Sequence, residues 1–146
     1  MEDGKERRRF PRLAVEVNIA FSVLSNLSEE KIDHLNNQIF ENKTRDISPI
    51  GMCIRTGVLV PADSIVDIKI AFPGATVRGL ARVVWSADLD KDGVFYSGVE
   101  FIAIKDSHLD AFSQSLAAYY VDHFKGDKNE SKCFIMAFLK KFFKRE

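Results

Sequence analysis

Apolar and polar residues alternate along much of the chain, in short segments separated by turn-forming residues. In the first segment, residues 13–24, valine, isoleucine or phenylalanine occupies nearly every second position. A period of two is typical of a β-strand that buries one face. Five further segments are predicted as strands: 39–47, 52–56, 64–72, 76–85 and 94–104. Six short strands joined by turns favour a mainly β fold, a small antiparallel six-stranded β-barrel.

The period changes to that of a helix after the sixth strand. Asp106 or Ser107 is a candidate N-cap residue, and the apolar positions that follow are Leu109, Phe112, Leu116, Tyr119 and Tyr120. We expect this C-terminal helix to cover one open end or edge of the barrel. The polar stretch 25–38 is longer than a hairpin needs, so we interpret it as an insertion, with a helical turn predicted from Ser28.

A second amphipathic segment follows the break at residues 126–129. Residues 130–145 are predicted as an extra tail helix with four phenylalanines, and basic residues form its polar side. Exposed apolar area costs about 25 cal/mol per Å², so something covers it: the chain's own barrel, a second copy in a homodimer, a protein partner or a membrane surface. We therefore divide the chain into a barrel domain, 1–125, and a basic tail helix, 126–146.

Charge is unevenly distributed, although the formal net charge is zero. Residues 1–12 hold five basic and three acidic residues, residues 13–131 hold 11 basic and 17 acidic, and residues 132–146 hold five basic and one acidic. A general DNA or RNA surface requires a continuous basic face. The acidic middle therefore argues against nucleic acid as the partner, but it is compatible with one small anion held by local arginines.

Other chemistry has no candidate residues in the sequence. The three histidines are scattered and no CxxC occurs, so neither a metal nor a cofactor is expected. No nucleophile and base fall in a catalytic pattern, which predicts a protein that is not an enzyme. Cys53 and Cys133 form no disulfide framework, and the start of the chain has no apolar leader. We expect a cytoplasmic location.

Two polar motifs carry the functional prediction. Residues 44–51 contain Asp46-x-Ser48-x-x-Gly51 at a strand-to-turn junction, and residues 7–12 contain Arg8-x-x-x-Arg12. Arginine pairs bidentately with phosphate and stacks on aromatic bases. A carboxylate accepts from the N1–H and exocyclic amine of guanine, a serine hydroxyl donates, and glycine gives the backbone room. Together the two motifs suit a guanine nucleotide better than bare phosphate.

Each motif alone has an ordinary structural explanation. An arginine-rich N-terminus is usually a solvated tail, and Asp, Ser, Pro and Gly are common hairpin residues for independent reasons. The occurrence of both motifs in this order within a β-rich chain favours the functional interpretation.

The chain resembles the PilZ domain family, the bacterial receptor modules for the second messenger cyclic di-GMP. That family is characterised by Arg-x-x-x-Arg in an N-terminal arm and [Asp/Asn]-x-Ser-x-x-Gly on the second strand, and both motifs are present here without departure. The resemblance runs from about residue 7 to about residue 120, and it includes the strands at 81–85 and 97–101. It implies a split-barrel fold and a cyclic di-GMP site.

In that site, the resemblance implies roles for seven residues in ligand binding: Arg7, Arg8, Arg9, Arg12, Asp46, Ser48 and Gly51. Arg8 and Arg12 would pair with phosphate and stack on bases, with Arg7 and Arg9 as auxiliary cations. Arg55 is a peripheral candidate or a solvent-facing strand arginine, and Trp85 either borders the ligand or belongs to the core.

We expect the arginine arm to be mobile without ligand and to become ordered over the barrel on binding. That change would alter the face shown to a downstream protein partner or to the C-terminal helix. The alternative is a PilZ-type interaction adaptor that binds no nucleotide and acts through its apolar tail.

Overall fold

The computed structural model describes residues 12–35, 37–88 and 93–124, together with Ile135. Six antiparallel strands form the body of this part of the chain: β1 (Asn18–Asn26), β2 (Phe40–Ile47), β3 (Gly51–Thr56), β4 (Ser64–Phe72), β5 (Ala75–Ala87) and β6 (Phe95–Ile104). They close into a barrel in the order β1-β2-β3-β6-β5-β4, with β4 returning to β1. The predicted six-stranded barrel is therefore confirmed.

The barrel interior is filled by the alternate apolar residues of the strands. Ile19, Phe21 and Val23 of β1 point inward, as do Ile68 and Ile70 of β4, and all are buried. Side chains on a strand point to opposite faces in turn, so the intervening residues form the outer surface. That outer surface carries the charged residues described below.

The helix α1 (Leu109–Phe124) packs against the barrel, as its spacing predicts. The Phe112 ring lies edge-on to Phe101, with 5.5 Å between centroids and 89° between planes. Leu116 and Tyr120 continue the same face four and eight residues later, and both are buried. The cap prediction was wrong, because residues 106–108 form a separate 3-10 turn ahead of α1.

The segment between β1 and β2 contributes to the core instead of projecting from it. Ile32 and Leu35 are buried in the core cluster. Leu35 belongs to a short 3-10 turn, Asp33–Leu35, and not to a helical turn starting at Ser28 as predicted. The Asn26 side-chain oxygen accepts the N–H groups of Ser28, at 2.8 Å, and Glu30, at 3.1 Å, and so fixes the start of the segment.

The predicted tail helix lies outside the described residues except at one position. Ile135 is helical and only 1% exposed, and it belongs to the same core cluster as the barrel residues. At that position the C-terminal segment therefore contributes a side chain to the core. Within the described ranges, no helix combines the length and the apolar character needed to cross a membrane.

Candidate functional site

The turn between β2 and β3 is held by Ser48. Its backbone N–H donates to the Gly51 carbonyl at 2.8 Å, and its hydroxyl oxygen accepts the Ile50 N–H at 3.2 Å. The side chain is 4% exposed. Sequence reasoning assigned this hydroxyl to a ligand, whereas the structure uses it within the turn that places Asp46 at the end of β2.

Arg12 lies directly against Asp46. One guanidinium nitrogen, Nη1, is 2.8 Å from carboxylate oxygen Oδ1, and the two side chains are 37% and 21% exposed. Exposed ion pairs contribute about 0–1 kcal/mol, because water solvates both partners well when they separate. The pair thus brings the two predicted motifs together, and its partners can be exchanged at little cost.

The segment between Arg12 and β1 is a strap fastened to β2. Leu13 and Ile47 exchange both backbone hydrogen bonds, at 2.8 and 2.9 Å. The buried Thr44 hydroxyl accepts the Val17 N–H at 2.9 Å and donates to the Val15 carbonyl at 2.8 Å. The first strand therefore begins at Asn18 and not at Leu13 as predicted, because residues 13–17 follow β2 through these few bonds. The start of this strap is tied to β2 through Leu13.

Replacing Thr44 with valine should loosen this strap. Valine has nearly the same shape but leaves the buried Val17 N–H without its acceptor, which costs about 1–3 kcal/mol. We expect the free energy of unfolding, measured with urea, to fall by that amount, and amide exchange at Val17 to accelerate. Thr44→Ser keeps the hydroxyl and should recover most of the loss. Unchanged stability and exchange in the valine variant would contradict this role.

Asp46 begins a row of residues that crosses four strands on the outer face. It pairs with Cys53 of β3, Cys53 pairs with Gly98 of β6, and Gly98 pairs with Trp85 of β5. Neighbouring strands lie about 4.8 Å apart, so the row spans about 14 Å. It links the carboxylate at one end to an indole at the other.

Trp85 lies over the glycine of that row. A Cβ added to Gly98 would come within 2.2 Å of the indole nitrogen, so a side chain there would displace the ring. The indole remains 40% exposed. The core interpretation of Trp85 is therefore wrong, and its ring lies on the same outer face as Asp46.

Cys53 is buried beneath the arginines of the outer face. It is 3% exposed, although it lies outside the apolar core cluster. Burial raises the pKa of its thiol and the Asp46 carboxylate adds to the rise, while Arg45 and Arg12 oppose it. The thiol is therefore protonated at neutral pH, which suits a packing role and neither a nucleophile nor a metal ligand. The described part of the chain has no cluster of three potential metal ligands.

Gly51 is required by strand packing. A Cβ at this position would lie 2.1 Å from the Val99 carbonyl oxygen and 3.1 Å from the Glu100 Cα, both on β6. Gly51 and Glu100 are paired residues of β3 and β6. In the structure, the backbone of the neighbouring strand fills the space that a side chain at this position would occupy. The predicted role of Gly51 beside a ligand stays a prediction.

The remaining predicted residues divide into two groups. Arg55 lies on the outer face, where its guanidinium is 3.4 Å from Glu16 of the strap. Arg7, Arg8 and Arg9 lie outside the described residues. Of the two motif arginines, the structure thus locates Arg12 at the site.

Sequence reasoning missed two residues of this face, Arg45 and Tyr96. The Arg45 guanidinium carbon lies 5.5 Å from the centre of the Tyr96 ring, within the range of a cation–π contact. A β-bulge at Arg45 interrupts the pairing of β2 with β3. The only sequence signal was the position of Arg45 beside Asp46.

Taken together, the outer face of β2, β3, β6 and β5 presents guanidinium groups, carboxylates that include Asp46 and Glu100, and two aromatic rings. Such a surface can pair with an anion, accept hydrogen bonds from a flat base and stack against it. The chemistry of this face is that of an anion-binding surface on a small closed barrel.

The family model of the PilZ domain matches residues 6–118, which is most of the chain, and this protein belongs to that family. PilZ domains form a family of non-enzymatic receptors for cyclic di-GMP. No curated protein sequence matches the chain significantly.

Three solved structures are similar to this chain at low sequence identity. The Bacillus subtilis inhibitor of motility (MotI/DgrA) superposes with a TM-score of 0.62 and 13% identity, covering 82% of this chain and 52% of its own. This chain thus spans about half the length of that protein. The PilZ domain of Escherichia coli YcgR with c-di-GMP has a TM-score of 0.47 and 14% identity, and the match covers 69% of this chain and 82% of that domain. The PilZ domain of CeSA from a cellulose-synthesizing bacterium has a TM-score of 0.43 and 12% identity, and the match covers 90% of this chain and 97% of that domain.

Proposed function

We propose that this PilZ domain is a bacterial cyclic di-GMP receptor that binds the dinucleotide on the outer face around Asp46. The observation that carries the proposal is the 2.8 Å contact between Arg12 and Asp46. It joins the arginine arm to the Asp-x-Ser-x-x-Gly turn, so donors for phosphate and an acceptor for guanine occupy one place.

Binding would exchange the partners of this ion pair. Arg12 turns from Asp46 to a phosphate, and Asp46 accepts from the N1–H and amine of a guanine. Each charge-assisted hydrogen bond contributes about 1.5–3 kcal/mol, against the 0–1 kcal/mol of the exposed pair that is lost. Three or four such bonds, less the entropic cost of ordering the arm, fit a dissociation constant near micromolar, which corresponds to a binding free energy of about −8 kcal/mol.

The signal would be the placement of the arm. Arg8, with Arg7 and Arg9 beside it, would close over the ligand and change the surface offered to a downstream protein partner. Since the strap is already fastened at Leu13, ligand should slow amide exchange ahead of residue 12 and leave exchange at residues 13–17 unchanged. Equal exchange with and without ligand across residues 5–11 would rule out this mechanism.

Calorimetry with cyclic di-GMP, GTP and a single-stranded oligonucleotide tests the function directly. We expect heat with cyclic di-GMP and none at the same concentrations with the other two. The described part of the outer face combines local cations with an acceptor and has no continuous basic track. Heat with the oligonucleotide and none with cyclic di-GMP would overturn the proposal.

The second candidate is a non-enzymatic adaptor that binds a protein partner and no nucleotide. Exposed apolar side chains on β5 and β6 favour it: Leu80, Val84 and Ile102 are 36%, 45% and 46% exposed. The two motifs count against it, because an adaptor has no use for an arginine arm seated on a carboxylate. Absence of heat with cyclic di-GMP would favour the adaptor, whether the chain acts alone or as a homodimer in the cytoplasm.

A further inference from the structure

A β-bulge turns two consecutive side chains of β2, Arg45 and Asp46, toward the outer face. Thr44 pairs with Ile54 and Asp46 pairs with Cys53, so Arg45 is an extra residue without a partner in the register. Arg45 is exposed and Asp46 is half-buried, whereas strict alternation would turn one of them into the barrel. The bulge therefore places a second guanidinium beside the carboxylate that Arg12 contacts.

Arg45 extends across β3 and is held there by two groups. Its guanidinium lies against the ring of Tyr96 on β6, with 5.5 Å from the guanidinium carbon to the ring centre. It also lies close enough to Cys53 to oppose the rise in the pKa of that thiol, and the paired residue of Cys53 on β6 is Gly98. A stacked guanidinium keeps its N–H donors free at the edge of its plane, because the contact with the ring uses only its face.

Arg45 supplies positive charge that no described carboxylate neutralises. Asp46 pairs with Arg12 and Glu16 pairs with Arg55, and within the described ranges no ion pair involves Arg45. The group of Arg12, Asp46 and Arg45 therefore carries a net charge of +1 on the outer face. An anion approaching Asp46 meets this charge before Arg12 has left its carboxylate.

We infer that Arg45 is a further ligand-binding residue, which pairs with a phosphate of the dinucleotide, and that Tyr96 is the positioning residue that keeps its guanidinium extended. The inference rests on the proposed function and adds to it a cation outside both sequence motifs. Arg45 would hold one phosphate before and after Arg12 exchanges its partner.

The test compares cyclic di-GMP dissociation constants of the variants Arg45→Gln, Arg45→Lys and Tyr96→Leu by calorimetry at two salt concentrations. We expect Arg45→Gln to weaken binding at least tenfold and to reduce its salt dependence, because one charge pairing with phosphate is lost. Arg45→Lys keeps the charge without the planar fork and should fall in between. Tyr96→Leu should weaken binding about threefold, and adding it to Arg45→Gln should cause no further loss.

Arg78→Gln is the matched control, because Arg78 is an exposed strand arginine that pairs with Asp67 at 3.0 Å. Its affinity should equal that of the wild type. Wild-type affinity in Arg45→Gln would overturn this inference and leave the proposed function standing. If the wild type gives no heat at all, the proposed function itself fails. Additive losses in the double variant would overturn the positioning role of Tyr96.

Discussion

Asp46→Ala should abolish the heat of cyclic di-GMP binding, weakening affinity at least a hundredfold. The substitution removes the acceptor for the guanine edge and releases Arg12 from its 2.8 Å contact. Two charge-assisted hydrogen bonds at about 1.5–3 kcal/mol each account for such a loss, since 1.4 kcal/mol corresponds to a factor of ten. Arg12→Ala should give a loss of similar size, because Arg12 is the cation that exchanges from Asp46 to phosphate.

Two further variants separate the functions of this carboxylate. Asp67→Ala breaks the ion pair between Asp67 and Arg78, 3.0 Å apart on β4 and β5, and should leave affinity unchanged. Asp46→Asn keeps an acceptor oxygen but loses the charge. Partial binding in the asparagine variant would support the contact with a guanine. Wild-type affinity in Asp46→Ala would place the ligand elsewhere and contradict the proposed site.

Gly51→Ala should strongly destabilise the barrel. The new methyl group would lie 2.1 Å from the Val99 carbonyl oxygen, so β3 and β6 must separate. Overpacking of this kind costs about 3 kcal/mol, or about 10 °C in Tm for a chain of this length. Thermal unfolding followed by circular dichroism measures the shift.

Gly57→Ala provides the control for this substitution. Gly57 has no neighbour within 4 Å of an added Cβ, so its Tm should stay within about 1–2 °C of the wild type. If Gly51→Ala keeps the wild-type Tm but loses cyclic di-GMP, the glycine makes room for ligand and the packing explanation is wrong.

The strands were predictable because burial imposes a period of two. The predicted segment 64–72 coincides with β4, and 39–47 begins one residue before β2. The alternation of residues 13–17 also reflects burial, since Leu13 and Val17 are both in the core. It could not reveal that this segment shares only a few hydrogen bonds with β2, because periodicity reports which side chains are buried and not which backbones are paired.

The site was predictable in composition and less so in detail. The two motifs predicted that Arg12 and Asp46 lie close together, and the 2.8 Å contact shows that they do. The motifs could not show that Arg45 faces outward beside Asp46, because a bulge is set by the register of two strands and leaves no pattern in the sequence. The close approach of Val99 to Gly51 could not be predicted either, since it depends on pairing with a strand nearly fifty residues away.

The backbone bonds between Leu13 and Ile47 fix the point on β2 from which the arginine arm extends. Arg8 lies four positions before Arg12, and extended chain spans about 3.5 Å per residue, so the two Cα atoms are never more than about 14 Å apart. The row from Asp46 to Trp85 has about the same length. A ligand bound along that row stays within reach of Arg8, because a short connection keeps the local concentration of the arginine in roughly the millimolar range. Inserting residues between Arg8 and Arg12 would lower the effective concentration of Arg8 at the ligand and leave the contacts of the described residues unchanged.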